Sequence, residues 1–149
     1  MIALIFWVLV LLACAYGFLC GGWEARVASI VTVAASLGTY GIYWAGAGGP
    51  WLSLQMGVLL VDLAYLGALH WLVLRSRYCW PIWMCAFQLA GVSTHFPGLM
   101  PVSLVSDIYE ALQGFWSIPV ILSMVLGVYY EQNQRNGYDR GQSFGRIDI

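Results

Sequence analysis

The chain has 149 residues, 61% of them hydrophobic and 9% charged, with a net charge of −1 and a mean hydropathy of +0.77. Soluble domains carry about 25% charged residues, so this composition cannot cover a water-facing surface, and the expected solvent is a lipid bilayer. Lysine is absent, which leaves none of the basic field that nucleic-acid binding needs and excludes nucleic acid as a partner.

Five segments have the length and apolar character to cross, or nearly cross, about 30 Å of hydrocarbon. In chain order they are Ile2 to Leu19, Val27 to Ala45, Leu52 to Leu74, Trp80 to Phe96, and Phe115 to Tyr130. The expected fold class is therefore all-α, an integral membrane bundle of about five transmembrane helices over 1–130, followed by a polar tail over 131–149. The first segment has no basic residues ahead of it, and its apolar run continues past any cleavage point, so it reads as a retained span rather than a signal peptide. Leu11-Leu12-Ala13-Cys14 has the outline of a lipoprotein processing box, and the same missing basic residues make it a coincidence.

Small residues mark one face of the second segment. Ala34, Gly38, Gly41 and Ala45 follow at spacings of four, three and four, an arrangement that lets helix backbones approach closely. Contact with another helix of this chain and a seam between two copies are both readings of that face. Ala13 and Gly17 offer a shorter version on the first segment.

Before the fifth segment, Ser103, Ser106, Asp107, Glu110 and Gln113 recur at helical spacing opposite Leu104, Val105, Ile108, Tyr109 and Leu112. The pattern predicts an amphipathic helix at the outer interface, with a bend at Gly114 and Pro119 where proline removes a backbone hydrogen bond. It reads as an interfacial anchor or as a lid over a cavity. The tail holds three acidic and three basic residues and reads as a flexible end, or as a docking peptide.

Orientation follows from the arginines, since positive residues near span ends stay on the cytoplasmic side. Arg26 lies in the first loop, Arg75 and Arg77 in the third, and Arg135, Arg140 and Arg146 in the tail. With five spans all of them fall on one side, giving the N-terminus out and the C-terminus in.

Asp62 stands near the middle of the third segment, where an ionised carboxylate costs about 3 kcal/mol or more. Counting helical rise from the inner loop places Asp62 roughly 22 Å in, Gln88 roughly 16 Å and His95 roughly 27 Å. Tyr40 falls at about the depth of Asp62, and Gln55 precedes Asp62 by two turns on the same face. These five residues form the candidate intramembrane polar site. Asp62 with His95 is read either as a proton- or substrate-binding pair or as a neutral hydrogen-bonded group that fixes helix register.

His70 and His95 raise a haem or pigment as a cofactor, histidine on a bundle helix being the usual axial ligand. Their depths differ by roughly 15 Å, which leaves only single ligation by one of them; no cofactor and no metal is the expectation. Cys14 and Cys20, like Cys79 and Cys85, are six residues apart, a spacing of neither a redox pair nor a zinc site. They read as small packing residues or, near the surface, as acylation positions. No nucleophile elbow, phosphate-binding glycine loop or HExxH motif occurs, so the chain is not expected to be an enzyme.

The stretch RSRYCWPIWMCAFQLAGVSTHF, Arg75 to Phe96, resembles a segment of small uncharacterised inner-membrane proteins of alphaproteobacteria, in which an Arg-Tyr-Trp-Pro turn precedes a Gln- and His-bearing span. The resemblance covers about a third of the chain, implies a bacterial inner membrane and implies no activity.

Taken together, the residues suggest first a non-catalytic accessory subunit whose partners are membrane lipids and other membrane proteins or a second copy. The alternatives are a small proton-coupled transporter or channel centred on Asp62, and a haem- or pigment-binding membrane protein with one protein ligand.

Overall fold

The computed structural model describes the backbone of residues 2–46, 51–95 and 106–144. Among these the chain is entirely helical. It forms α1 (Ile2–Cys20), α2 (Trp23–Ala45), α3 (Trp51–Arg75), α4 (Trp80–Ser93) and α5 (Ser106–Phe144). Three breaks fall between the predicted segments, and the fourth lies largely outside the described residues. Gly21 and Gly22 separate α1 from α2, Gly46 caps the end of α2, and a turn beginning at Ser76 separates α3 from α4. Ser76 holds that turn by accepting the amide N–H of Tyr78 at 3.1 Å, and Pro81 then sits in the first turn of α4, where its missing N–H costs nothing.

Two elements differ from expectation. As a regular helix α4 has only 14 residues, about 21 Å of rise; it ends in a turn at Thr94, so it is shorter than the predicted span to Phe96. The last helix is far longer than predicted, 39 residues without a break and with Pro119 inside it. The predicted amphipathic segment, the fifth span and the start of the polar tail are thus one element. Where composition reads a flexible end from Glu131, the backbone continues as helix to Phe144. The side chains of 106–114, on which the amphipathic reading rests, lie outside the described residues, as do 103–105 and 145–149.

Each helix packs on its neighbours in the chain, and α5 closes the ring by packing on α1 as well as α4. Contacts climb one helix as they descend the next. Gly17 faces Ser29 while Gly21 faces Ala25, and Gly38 faces Val61 while Gly46 faces Leu54, so successive helices are antiparallel.

The close approach of α1 to α2 depends on Gly17, where a Cβ would lie 2.6 Å from Ser29 Oγ. The short small-residue surface of α1 is therefore spent inside the chain. On α2 only Gly38 meets a neighbour, with its would-be Cβ 3.5 Å from Val61. Ala34, Gly41 and Ala45 are exposed, and nothing lies within 4 Å of a Cβ at Gly41. The predicted stripe is thus split between a contact with α3 and an open face.

The ring is filled at the end that carries the α1–α2 and α3–α4 turns. Ala25, Ala28, Leu69, Leu72, Trp80, Met84, Met124 and Val128 form one buried cluster there. Burial by residue type runs against the usual soluble pattern. Leu19, Leu60, Leu74 and Trp44 are each more than two-thirds exposed, while Glu24, Gln55, Gln88, His95 and Glu131 are buried. Two helices, Trp23–Ala45 and Leu54–Arg75, are long and apolar enough to cross a membrane among the described residues.

Candidate functional site

Toward the opposite end of the ring, where α1 begins, the described residues leave open space. A cavity of about 310 Å³ lies there, and all five helices line it. Helix α1 supplies Phe6, Trp7 and Val10. Helix α2 supplies Thr32, Ala35, Ser36, Thr39, Tyr40 and Tyr43, a run at spacings of three and four that puts them on one face. Val58, Asp62 and Tyr65 come from α3 at the same periodicity, Gln88 from α4, and Ser117, Val120 and Ile121 from α5.

Asp62 is the centre of the polar wall. Gln88 Nε2 donates to Asp62 Oδ1 at 3.1 Å, and His95 Nε2 lies 2.8 Å from Asp62 Oδ2. Gln88 reaches the carboxylate from α4, and His95 from just beyond the turn at Thr94 that ends it. His95 is 4% exposed and the Asp62 side chain 26%. The histidine is therefore sealed in protein while the carboxylate looks into the cavity.

One turn along α3, Tyr65 lies 2.8 Å from Thr32 Oγ1. Thr32 also lies 2.7 Å from the carbonyl of Ala28 and donates to it. A hydroxyl carries a single proton, so the tyrosine donates to the threonine. That bond ties α2 to α3 directly beneath the carboxylate. Ser29 and Ser36 each donate back to the carbonyl four residues earlier, at 2.8 and 2.9 Å. Such back-bonding satisfies a hydroxyl inside a helix, and Ser29 Oγ also lies 3.7 Å from Met124 Sδ on α5.

Of the sequence-predicted site residues, Asp62, Gln88 and His95 form one hydrogen-bonded group. Tyr40 lines the same cavity but stands with Trp7 instead, their ring centroids 6.0 Å apart and perpendicular. Gln55 is buried and lies outside the cavity lining. His70 is exposed on α3. His95 Nε2 is engaged by the carboxylate, so an iron or magnesium bound at that nitrogen would first have to displace Asp62. Among the described residues no three His, Cys, Asp or Glu side chains gather where they could hold a metal ion. Cys14 is buried, Cys85 half-buried, and Cys20 and Cys79 are exposed, all four as thiols.

The sequence does not single out Tyr65, Trp7 or Tyr43, and it reads Thr32 and Ser36 only as interhelical hydrogen-bonding residues of a span; Thr32 is one, whereas Ser36 bonds within its own helix. The three-and-four spacing of hydroxyl residues from Ser29 through Thr32, Ser36 and Thr39 to Tyr43 was the available signal. It marks the one polar stripe on α2. For Phe6 and Trp7 there was none, because α1 is apolar on every side.

A second, outward groove of about 570 Å³ is lined by the turn before α4 together with α4 and α5, chiefly Trp80, Trp83, Phe87 and Tyr130. It does not reach the centre of the ring.

No protein-family model matches the chain, and no curated protein and no solved structure matches it either.

Proposed function

We propose that the chain is a five-span protein of a bacterial inner membrane, with its N-terminus outside, its C-terminus in the cytoplasm, and a site for a proton or small solute at Asp62. It acts as a small proton-coupled transporter or channel. The observation that carries this reading is that Asp62 is hydrogen-bonded to two buried side chains, Gln88 on α4 and His95 just beyond it, while it also lines a cavity within the helical ring. A carboxylate needed only for helix register would be sealed; this one remains reachable. Intramembrane carboxylates of that kind sit on ion and proton pathways.

The membrane part of the proposal rests on the inverted burial pattern, leucines and tryptophans outside with glutamine, glutamate and histidine inside. It rests also on the arginines at one end of the bundle and on the two helices of spanning length. The cavity lies at the other end, so under this orientation it opens outward. An accessory-subunit role rests mainly on what the sequence lacks; the paired and accessible Asp62 is a positive feature, and we give it more weight.

The test is proton uptake into proteoliposomes carrying a trapped pH-sensitive dye under an imposed membrane potential. Uptake by the wild-type protein should exceed that of protein-free vesicles, and Asp62→Asn should return it to the protein-free level. Asparagine keeps the size and hydrogen-bonding capacity of aspartate, so the bundle should still assemble. Equal uptake by wild type and variant, or none by either, overturns the reading.

A further inference from the structure

The cavity wall carries an unusual mixture for a space inside a bundle. Among the described residues that line it, five are aromatic, Asp62 is the only charged one, and none is arginine or histidine. Anions are thereby disfavoured, since the Asp62 carboxylate would repel them. A wholly apolar ligand would leave a carboxylate facing hydrocarbon with nothing to compensate it. A cation with an organic surface meets both parts of the wall.

We propose that the cavity binds a small organic monocation, a protonated or quaternary amine, held between the Asp62 carboxylate and the rings of Trp7, Tyr40 and Tyr43. This names the solute class for the site proposed above and rests on that reading.

Three features support it. An ionised carboxylate has about four acceptor positions, and two are taken by Gln88 and His95, so acceptor capacity remains on the side that faces the cavity. Aromatic rings attract cations through their quadrupoles, and Trp7 and Tyr40 meet edge to face with their centroids 6.0 Å apart. The volume of about 310 Å³ is at the lower end of small-molecule sites, which restricts the guest to a compact amine.

Binding is measured by calorimetry on the full-length protein in detergent micelles. The probes are choline, tetramethylammonium and n-butylammonium; 3,3-dimethylbutan-1-ol serves as the uncharged isostere of choline, and acetate as an anion. At least one cation should bind about tenfold or more tightly than the isostere, with no binding of acetate. Asp62→Asn and Tyr43→Ala should each weaken the cation by about tenfold, and Tyr43→Phe should keep most of the affinity.

Equal binding of the isostere, unchanged affinity in Asp62→Asn, or no binding of any of the three cations overturns the proposal. If Asp62→Asn does not assemble, the isostere comparison and the Tyr43 pair still decide. Proton uptake that depends on Asp62 in a protein that binds none of the cations removes the solute class and leaves the transport reading standing. Failure of both removes both.

Discussion

Replacing His95 with leucine is expected to destabilise the bundle by about 2 kcal/mol, more than any other single change at the polar site. His95 is almost fully buried and holds one oxygen of Asp62 at 2.8 Å. Removing it leaves that oxygen without its partner in an apolar surround, and losing one member of a buried pair costs more than the pair itself contributes. Two effects keep the figure below the upper end of the range. The Asp62 side chain is about a quarter exposed to the cavity, and interhelical hydrogen bonds in membranes average about 0.6 kcal/mol.

The double variant with Asp62→Leu should be less destabilised than the sum of the two single variants, because it removes the orphaned carboxylate together with its partner. Thermal unfolding in mild detergent measures all three. Additive losses would show that the two residues are not coupled.

Gly127→Ala has the second large effect. A Cβ at Gly127 would run into the Trp80 indole, and that ring belongs to the buried cluster that also holds Met84 and Val128. Alanine gains about 1 kcal/mol in helix propensity, whereas overpacking a filled core costs about 1–3 kcal/mol. The clash wins, because the atoms met are the Cβ and ring root of Trp80, which move only with the α4 backbone and not as the end of a flexible chain does. A net loss of about 1–2 kcal/mol is expected, and part of it should vanish in a Trp80→Ala background, which removes the ring and leaves only the Cβ of residue 80 in the way. A Gly127→Ala protein as stable as wild type would show that α4 and α5 can separate there freely.

Helix starts and stops were legible where glycine and proline set them. The Gly21-Gly22 break, the Gly46 cap and the Ser76 turn needed no tertiary information. At α5 the sequence misled in two ways. Gly114 and Pro119 are breakers by local propensity, yet the helix passes both; a single proline removes one hydrogen bond of a long ladder, and packing on α1 and α4 holds the rest. The balanced charges after Glu131 say that the segment cannot form its own core, but a helix already begun extends at little cost, since the unfavourable step is nucleation.

The grouping of Asp62, Gln88 and His95 could be reached by counting rise along antiparallel helices, because depth depends only on residue number. Direction around each helix axis could not. Tyr40 has the depth of Asp62 but points to Trp7, and Gln55 shares a face with Asp62 but lies beyond the cavity. The cavity itself was out of reach, as it depends on how the five helices close into a ring.

The most direct measurement of the account's central claim, an outward-opening cavity inside a membrane-embedded bundle, is labelling of single cysteines in intact cells by a membrane-impermeant maleimide, with Cys14, Cys20, Cys79 and Cys85 replaced. Tyr43→Cys lines the cavity, Leu37→Cys lies on the exposed apolar side of the same helix, and Ser76→Cys marks the turn beside Arg75 and Arg77. Tyr43→Cys should be labelled from outside, Ser76→Cys only after the membrane is permeabilised, and Leu37→Cys should resist labelling in both conditions. Labelling of Leu37→Cys as fast as Tyr43→Cys would mean that this face meets water rather than lipid, and would contradict it.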